Sequence, residues 1–163
     1  MVTKALNNNC VVRIELFRNR FSKEICTLVP DEKTLSLISS DTANWLNHLI
    51  LNRWTRDSIN AFVFFYQDEL VGFATLSTSE WSLPDGHCEI CHMVIRKEFR
   101  RRGFGTMMLI GLQNESRRLG YGTAVGRVNA KNLAAAGMLQ KNGWKKARCK
   151  WAGTSNVWFF KRS

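Results

Sequence analysis

The residues best suited to chemistry form one run, Val94-Ile95-Arg96-Lys97-Glu98-Phe99-Arg100-Arg101-Arg102-Gly103-Phe104-Gly105-Thr106. It reads as a strand that passes through a basic, glycine-bearing turn into a helix. A helix N-terminus carries unpaired backbone N–H groups and the positive end of the helix dipole, so such a junction can hold a pyrophosphate. Gly103 and Gly105 would let a phosphate approach the backbone closely, and Arg100, Arg101 and Arg102 would surround it with positive charge. A bare Gly-x-Gly is also what an ordinary turn looks like, so the context must carry the weight.

Other reactive groups lie nearby. Cys88 and Cys91 form a C-x-x-C, but no second pair stands at zinc-ligand spacing and the run is strand-like, so no metal is predicted. His87 and His92 flank the same run; lone histidines there are read as packed or surface residues. Asn132, just before Leu133, is placed to cap a helix.

The elements that position these groups follow from periodicity. Val11 to Arg18 alternates as a strand, and a helical region follows, with one helix between Phe21 and Ser39 and another capped by Asp41 and carrying Trp45, Leu46, Leu49, Ile50 and Trp54 at intervals of three and four. Ala61 to Tyr66 and Leu70 to Ser77 read as a hairpin around Gln67-Asp68-Glu69. Cys88 to Arg96 is a strand, and Gly105 to Leu119 a helix with Met108, Leu109 and Leu112 on one face. Thr123 to Val128, a helix from Asn132 to Lys141, and strands at Trp144 to Cys149 and Val157 to Lys161 complete the order β-α-α-β-β-β-α-β-α-β-β. That order predicts an α/β fold with a mixed, mostly antiparallel sheet flanked by helices, and excludes a doubly wound dinucleotide fold.

The chain has 163 residues, 45% of them apolar and 23% charged, which suits a single domain spanning 1–163 with its own core. No apolar run reaches the roughly 20 residues that cross a bilayer, and Met1 to Asn9 lacks a signal-like apolar stretch, so no membrane association is predicted and a cytoplasmic location is. The five scattered cysteines fit that reading as reduced thiols. A net charge of +11 favours anions: a phosphorylated cofactor, an acidic partner, or nucleic acid through the basic surface.

The glycine-bearing turn resembles the coenzyme A-binding signature of the GNAT acetyltransferase family, Arg/Gln-x-x-Gly-x-Gly/Ala, matched by Arg100, Gly103 and Gly105; Ile95 in the strand leading in also matches, and Lys97 stands where a proline is common. A second block, Asn132, Ala135, Gly143 and Trp144, is similar to the family's later Asn-x-x-Ala helix that ends in Gly-aromatic. The resemblance implies a V-shaped opening between the strands at Cys88–Arg96 and Thr123–Val128. There the main chain of Met93, Val94 and Ile95 would meet the pantetheine arm of acetyl-CoA, and the amides of Arg101, Arg102, Gly103, Phe104, Gly105 and Thr106 the pyrophosphate. Asn132 would lie by the arm, as a ligand contact, as a cap, or as both.

The implied reaction moves acetyl from acetyl-CoA to a primary amine on a protein, a small molecule or an aminoacyl-tRNA by direct attack. It needs a base for the amine and a proton for the departing thiolate. Glu89 stands eleven residues before Arg100, the spacing at which histone-type members of the family place a catalytic glutamate; a surface carboxylate or an ion pair is the alternative. Seven residues after Asn132, where the family commonly has a tyrosine acid, the chain has Leu139. The thiolate then leaves unaided or takes a proton from Tyr66, Tyr121, Cys91 or His92. Trp81 is the expected acceptor contact, and a monomer or homodimer is expected. Two other readings stay open: a basic nucleic-acid-binding module, and an acyl-CoA sensor without turnover.

Overall fold

The computed structural model describes residues 2–4, 11–28, 59–78, 85–147 and 156–162. Eight strands and three α-helices are described, besides two short 3-10 turns at Asn19–Phe21 and Lys97–Phe99: β1 (Val2–Lys4), β2 (Val11–Leu16), α1 (Ser22–Cys26), β3 (Ile59–Tyr66), β4 (Glu69–Ser77), β5 (His87–Ile95), α2 (Phe104–Arg118), β6 (Thr123–Asn129), α3 (Leu133–Lys141), β7 (Lys145–Lys146) and β8 (Asn156–Arg162). They form one eight-stranded sheet in the order β1-β2-β3-β4-β5-β6-β8-β7. Every neighbouring pair is antiparallel except β5 and β6, which run parallel because α2 carries the chain across between them. The mixed, mostly antiparallel sheet matches the expected architecture.

Local chemistry accounts for most boundaries. The β3–β4 hairpin turns on Gln67 and Asp68, both at positive φ (48° and 64°), the two-residue turn whose twist suits flanking strands. In α2 the residues Met108, Leu109 and Leu112 are 0%, 1% and 0% exposed, so the stripe read from spacing is the face that meets the sheet. One core lies between the sheet and α2 and α3, and includes Phe64, Leu76, Ile90, Phe104, Leu139, Trp144 and Phe159. A second lies on the opposite face, where Phe21, Ile25 and Leu28 pack on Val63, Phe65 and Phe73.

Two details differ from expectation. The strand β1 pairs with β2 ahead of what the sequence offered as the first strand. Among the described residues of the strand expected from Trp144 to Cys149, only Lys145–Lys146 are in a strand, while the helix Ser22–Cys26 lies within the stretch from Phe21 to Ser39 where one was expected. The helix capped by Asp41 lies outside the described residues, as does Trp81. Among the described residues no helix is long and apolar enough to cross a membrane.

Candidate active site at the parting of β5 and β6

The sheet opens in the middle. The β5–β6 ladder runs from His87–Thr123 to Ile90–Gly126 and stops there. On the other side of β5, Thr75 pairs with Cys91 and Phe73 with Val94, so Ala74 alone faces both His92 and Met93. This is a β-bulge, and His92 at φ +51° is its bend. The bulge turns the second half of β5 away from β6 and leaves a cleft flanked by the main chain of Cys91 to Ile95. That is where the resemblance placed the V-shaped opening. A cavity lies along it, lined among others by Ile90, His92, Met93, Arg127, Asn132 and Leu139.

The basic turn sits at the far end of β5. Arg101 (φ +59°) and Gly103 (φ +86°) are left-handed, a conformation that recurs in anion-binding backbone turns. Gly103 caps α2 with no side-chain hydrogen bond, and the first turn holds no acidic residue. The helix therefore presents its N–H groups and dipole without a side-chain competitor from its own cap. The three arginines differ in role. Arg100 turns inward and donates from Nε to the Ile95 carbonyl at 2.9 Å, tying the turn to β5. Arg102 lies over the rings of Phe99 and Phe104, and Arg101 is exposed.

At Gly105 a Cβ would meet the side-chain ends of Met138 of α3 and Ile95 of β5, so the missing side chain also serves the packing of these elements. At Gly103 the Cβ direction is open, and the positive φ is what calls for glycine. Thr106, one turn in, accepts a hydrogen bond from Asn142 Nδ2 at 3.3 Å, which ties the start of α2 to the end of α3.

Glu89 is 1% exposed and lies on the sheet face away from α2 and α3, beside the last rungs of the β5–β6 ladder. Its Oε1 is 3.2 Å from Arg127 Nε. Of the readings the sequence left open, the solvent-facing carboxylate is excluded and the ion pair is present. Arg127 in turn lies 5.3 Å from the Trp158 ring centroid, its cross-strand neighbour on β8. Sequence reading missed Arg127; the signal available was a lone charge in Ala124-Val125-Gly126-Arg127-Val128, two positions past a residue of the ladder.

Asn132 caps α3, accepting from Ala135 N at 3.1 Å, and also lines the cavity. Leu139 is 5% exposed and packs in the core, with Gly126 and Trp144 beside it. Of the four proton donors considered, Tyr66 packs against Phe99 and Phe104 by the basic turn, and Tyr121 precedes β6 at the closed end of the ladder. Cys91 and His92 lie at the opening itself; His92 Nδ1 is 3.1 Å from Thr75 Oγ1. Cys88 points the other way, to Ser116 Oγ at 3.0 Å, and burial pushes its thiol up despite that hydrogen bond. The two cysteines of the C-x-x-C therefore fall on opposite faces of β5.

The acetyltransferase (GNAT) family matches residues 25–144, most of the chain, which therefore belongs to that family. No curated protein sequence matches the chain. Among solved structures, a probable GNAT-family acetyltransferase from Chromobacterium violaceum superposes with a TM-score of 0.76 at 16% identity, over 99% of this chain and 85% of its own. The PaiA N-acetyltransferase of Thermoplasma acidophilum, in complex with coenzyme A, gives 0.67 at 16%, over 93% and 99%. A Bacillus subtilis acetyltransferase in complex with CoA gives 0.64 at 16%, over 93% and 99%. At these identities the likeness is one of fold.

Proposed function

We propose that the chain is a single-domain, acyl-CoA-dependent N-acetyltransferase that moves acetyl from acetyl-CoA to a primary amine by direct attack. The observation that carries this reading is the end of the β5–β6 ladder at Ile90–Gly126, one rung past the buried carboxylate of Glu89. Beyond it the freed stretch of β5 leads to the basic turn and the helix N-terminus capped by Gly103. Two of the structures with this fold hold coenzyme A.

In this reading the amides of Arg101 to Thr106 hold the pyrophosphate, with Arg102 adding charge and Arg100 holding the turn in shape. The main chain of Met93, Val94 and Ile95 pairs with the amides of the pantetheine arm as an added strand would. Asn132 borders the arm while capping α3. Glu89 takes the proton that the amine gives up as the C–N bond forms and the C–S bond breaks. The thiolate leaves as such or takes a proton from His92 or Cys91, the two candidate donors at the opening. Trp81 remains the proposed acceptor contact.

Leu139 favours a second reading, an acyl-CoA sensor without turnover, because the core packs a side chain there that has no proton to give. Two measurements separate the readings. Acetyl-CoA should raise the thermal midpoint and RNA should not; the reverse would favour a nucleic-acid module. Mass spectrometry of reactions with acetyl-CoA and a panel of amines (a spermidine-type polyamine, amino-acid amides, lysine-bearing peptides, peptides with free N-termini, an aminoacyl-tRNA) should find an acetylated product. Binding without any product would establish the sensor.

A further inference from the structure

Three side chains on three successive strands stand in line on the sheet face away from α2 and α3: Glu89 on β5, Arg127 on β6 and Trp158 on β8. Glu89 is buried, and its Oε1 lies 3.2 Å from Arg127 Nε. The Arg127 guanidinium lies 5.3 Å from the centroid of the Trp158 ring. The backbone fixes this order, since Arg127 is directly opposite Trp158 in the β6–β8 ladder and two residues beyond Val125, the ladder partner of Glu89. Arg127 is also the first residue of β6 past the end of the β5–β6 ladder, so it borders the opening.

A buried carboxylate is costly unless a charge and hydrogen bonds compensate it, and a guanidinium does so directionally through its planar N–H groups. A long arginine beside an opening would sample several rotamers, which would loosen whatever it holds. Arg127 keeps 35% of its side chain exposed, and the Trp158 ring beneath the guanidinium restricts that freedom and adds a cation–π contribution. The position of the carboxylate is thus set by a partner that is itself held.

We propose that Arg127, stacked on Trp158, is the positioning residue for Glu89. It acts through that carboxylate, pairing with it and holding it beside the parting of β5 and β6, where the amine must lose its proton. The proposal rests on the reading of Glu89 as the base, and it extends that reading to two residues absent from the family signature blocks of the sequence.

The test is a double-mutant cycle with Arg127→Met, Glu89→Gln and the two combined. Turnover is measured with acetyl-CoA and the panel amine that the wild-type chain acetylates fastest, with hydrolysis of acetyl-CoA by water run alongside. Thermal midpoints and calorimetric acetyl-CoA affinity confirm that each variant is folded; should Arg127→Met fail to fold, Arg127→Lys replaces it, because lysine keeps the charge without the stacking plane. Arg127→Met should lower kcat by about 10- to 100-fold, the scale of a displaced reacting group, with the KM for acetyl-CoA nearly unchanged. The combined variant should be no slower than Glu89→Gln alone, because Arg127 acts through that carboxylate. A combined variant slower than Glu89→Gln by the full Arg127→Met factor, or a change in KM alone, overturns the proposal and leaves Glu89 as the base. Wild-type kcat in Glu89→Gln overturns the base reading, and the proposal falls with it, as it does if the wild-type chain turns over with neither amine nor water.

Discussion

A Cβ placed on Gly105 would lie 2.8 Å from Met138 Sδ and 3.1 Å from Ile95 Cδ1. The two glycines of the basic turn therefore separate by experiment. Gly105→Val should act on packing, lowering stability by about 1–3 kcal/mol as an overpacked core residue does. Gly103→Ala meets open space but must hold φ +86°, at a cost of about 1–2 kcal/mol, and it should weaken coenzyme A binding by shifting the turn. Chemical denaturation paired with calorimetry distinguishes them. Equal losses of affinity at unchanged stability would return both glycines to the phosphate.

The Cys88 thiol provides a pH signature. Burial raises its pKa in the folded state, so the unfolded chain ionises first as pH rises. The stabilising contribution is fully present below the ordinary thiol value of about 8.5 and is lost as pH climbs through the raised folded value. Unfolding free energy should fall over that alkaline range, and Cys88→Ala should flatten the fall. Alkylation mapped by mass spectrometry should reach exposed Cys26 well before Cys88.

Ionic strength tests what the +11 charge does. If it steers an anionic co-substrate to the α2 N-terminus, added salt should weaken coenzyme A capture gradually. RNA held by many phosphate contacts should instead lose affinity steeply, as condensed counterions compete. Nanomolar RNA binding that survives high salt would contradict the first view.

Much of this architecture was legible because it depends on local chemistry. The stripe Met108, Leu109 and Leu112 announces the face of α2, and Asn132 announces the start of α3. The basic turn could be read as a strand-to-helix junction with an anion-seeking end. What could not be read depends on pairing across the chain. The bulge at His92 exists only relative to Ala74 on β4, and the ion pair of Glu89 with Arg127 needs the parallel β5–β6 register, which no local pattern encodes. The packing role of Gly105 was illegible for the same reason: its neighbour Met138 lies 33 positions further along.

The central claim is that Glu89 takes the proton of an amine attacking acetyl-CoA, and the pH dependence of Glu89→Gln tests it most directly. The substitution keeps shape and hydrogen-bonding reach while removing basicity. With the acetylated amine identified from the panel, it should lower kcat by about 10²- to 10⁴-fold near neutral pH, leave acetyl-CoA affinity nearly intact, and recover partly at alkaline pH where free amine is abundant. A variant that turns over at the wild-type rate across that range would show that Glu89 serves only to pair with Arg127, and that the base lies elsewhere.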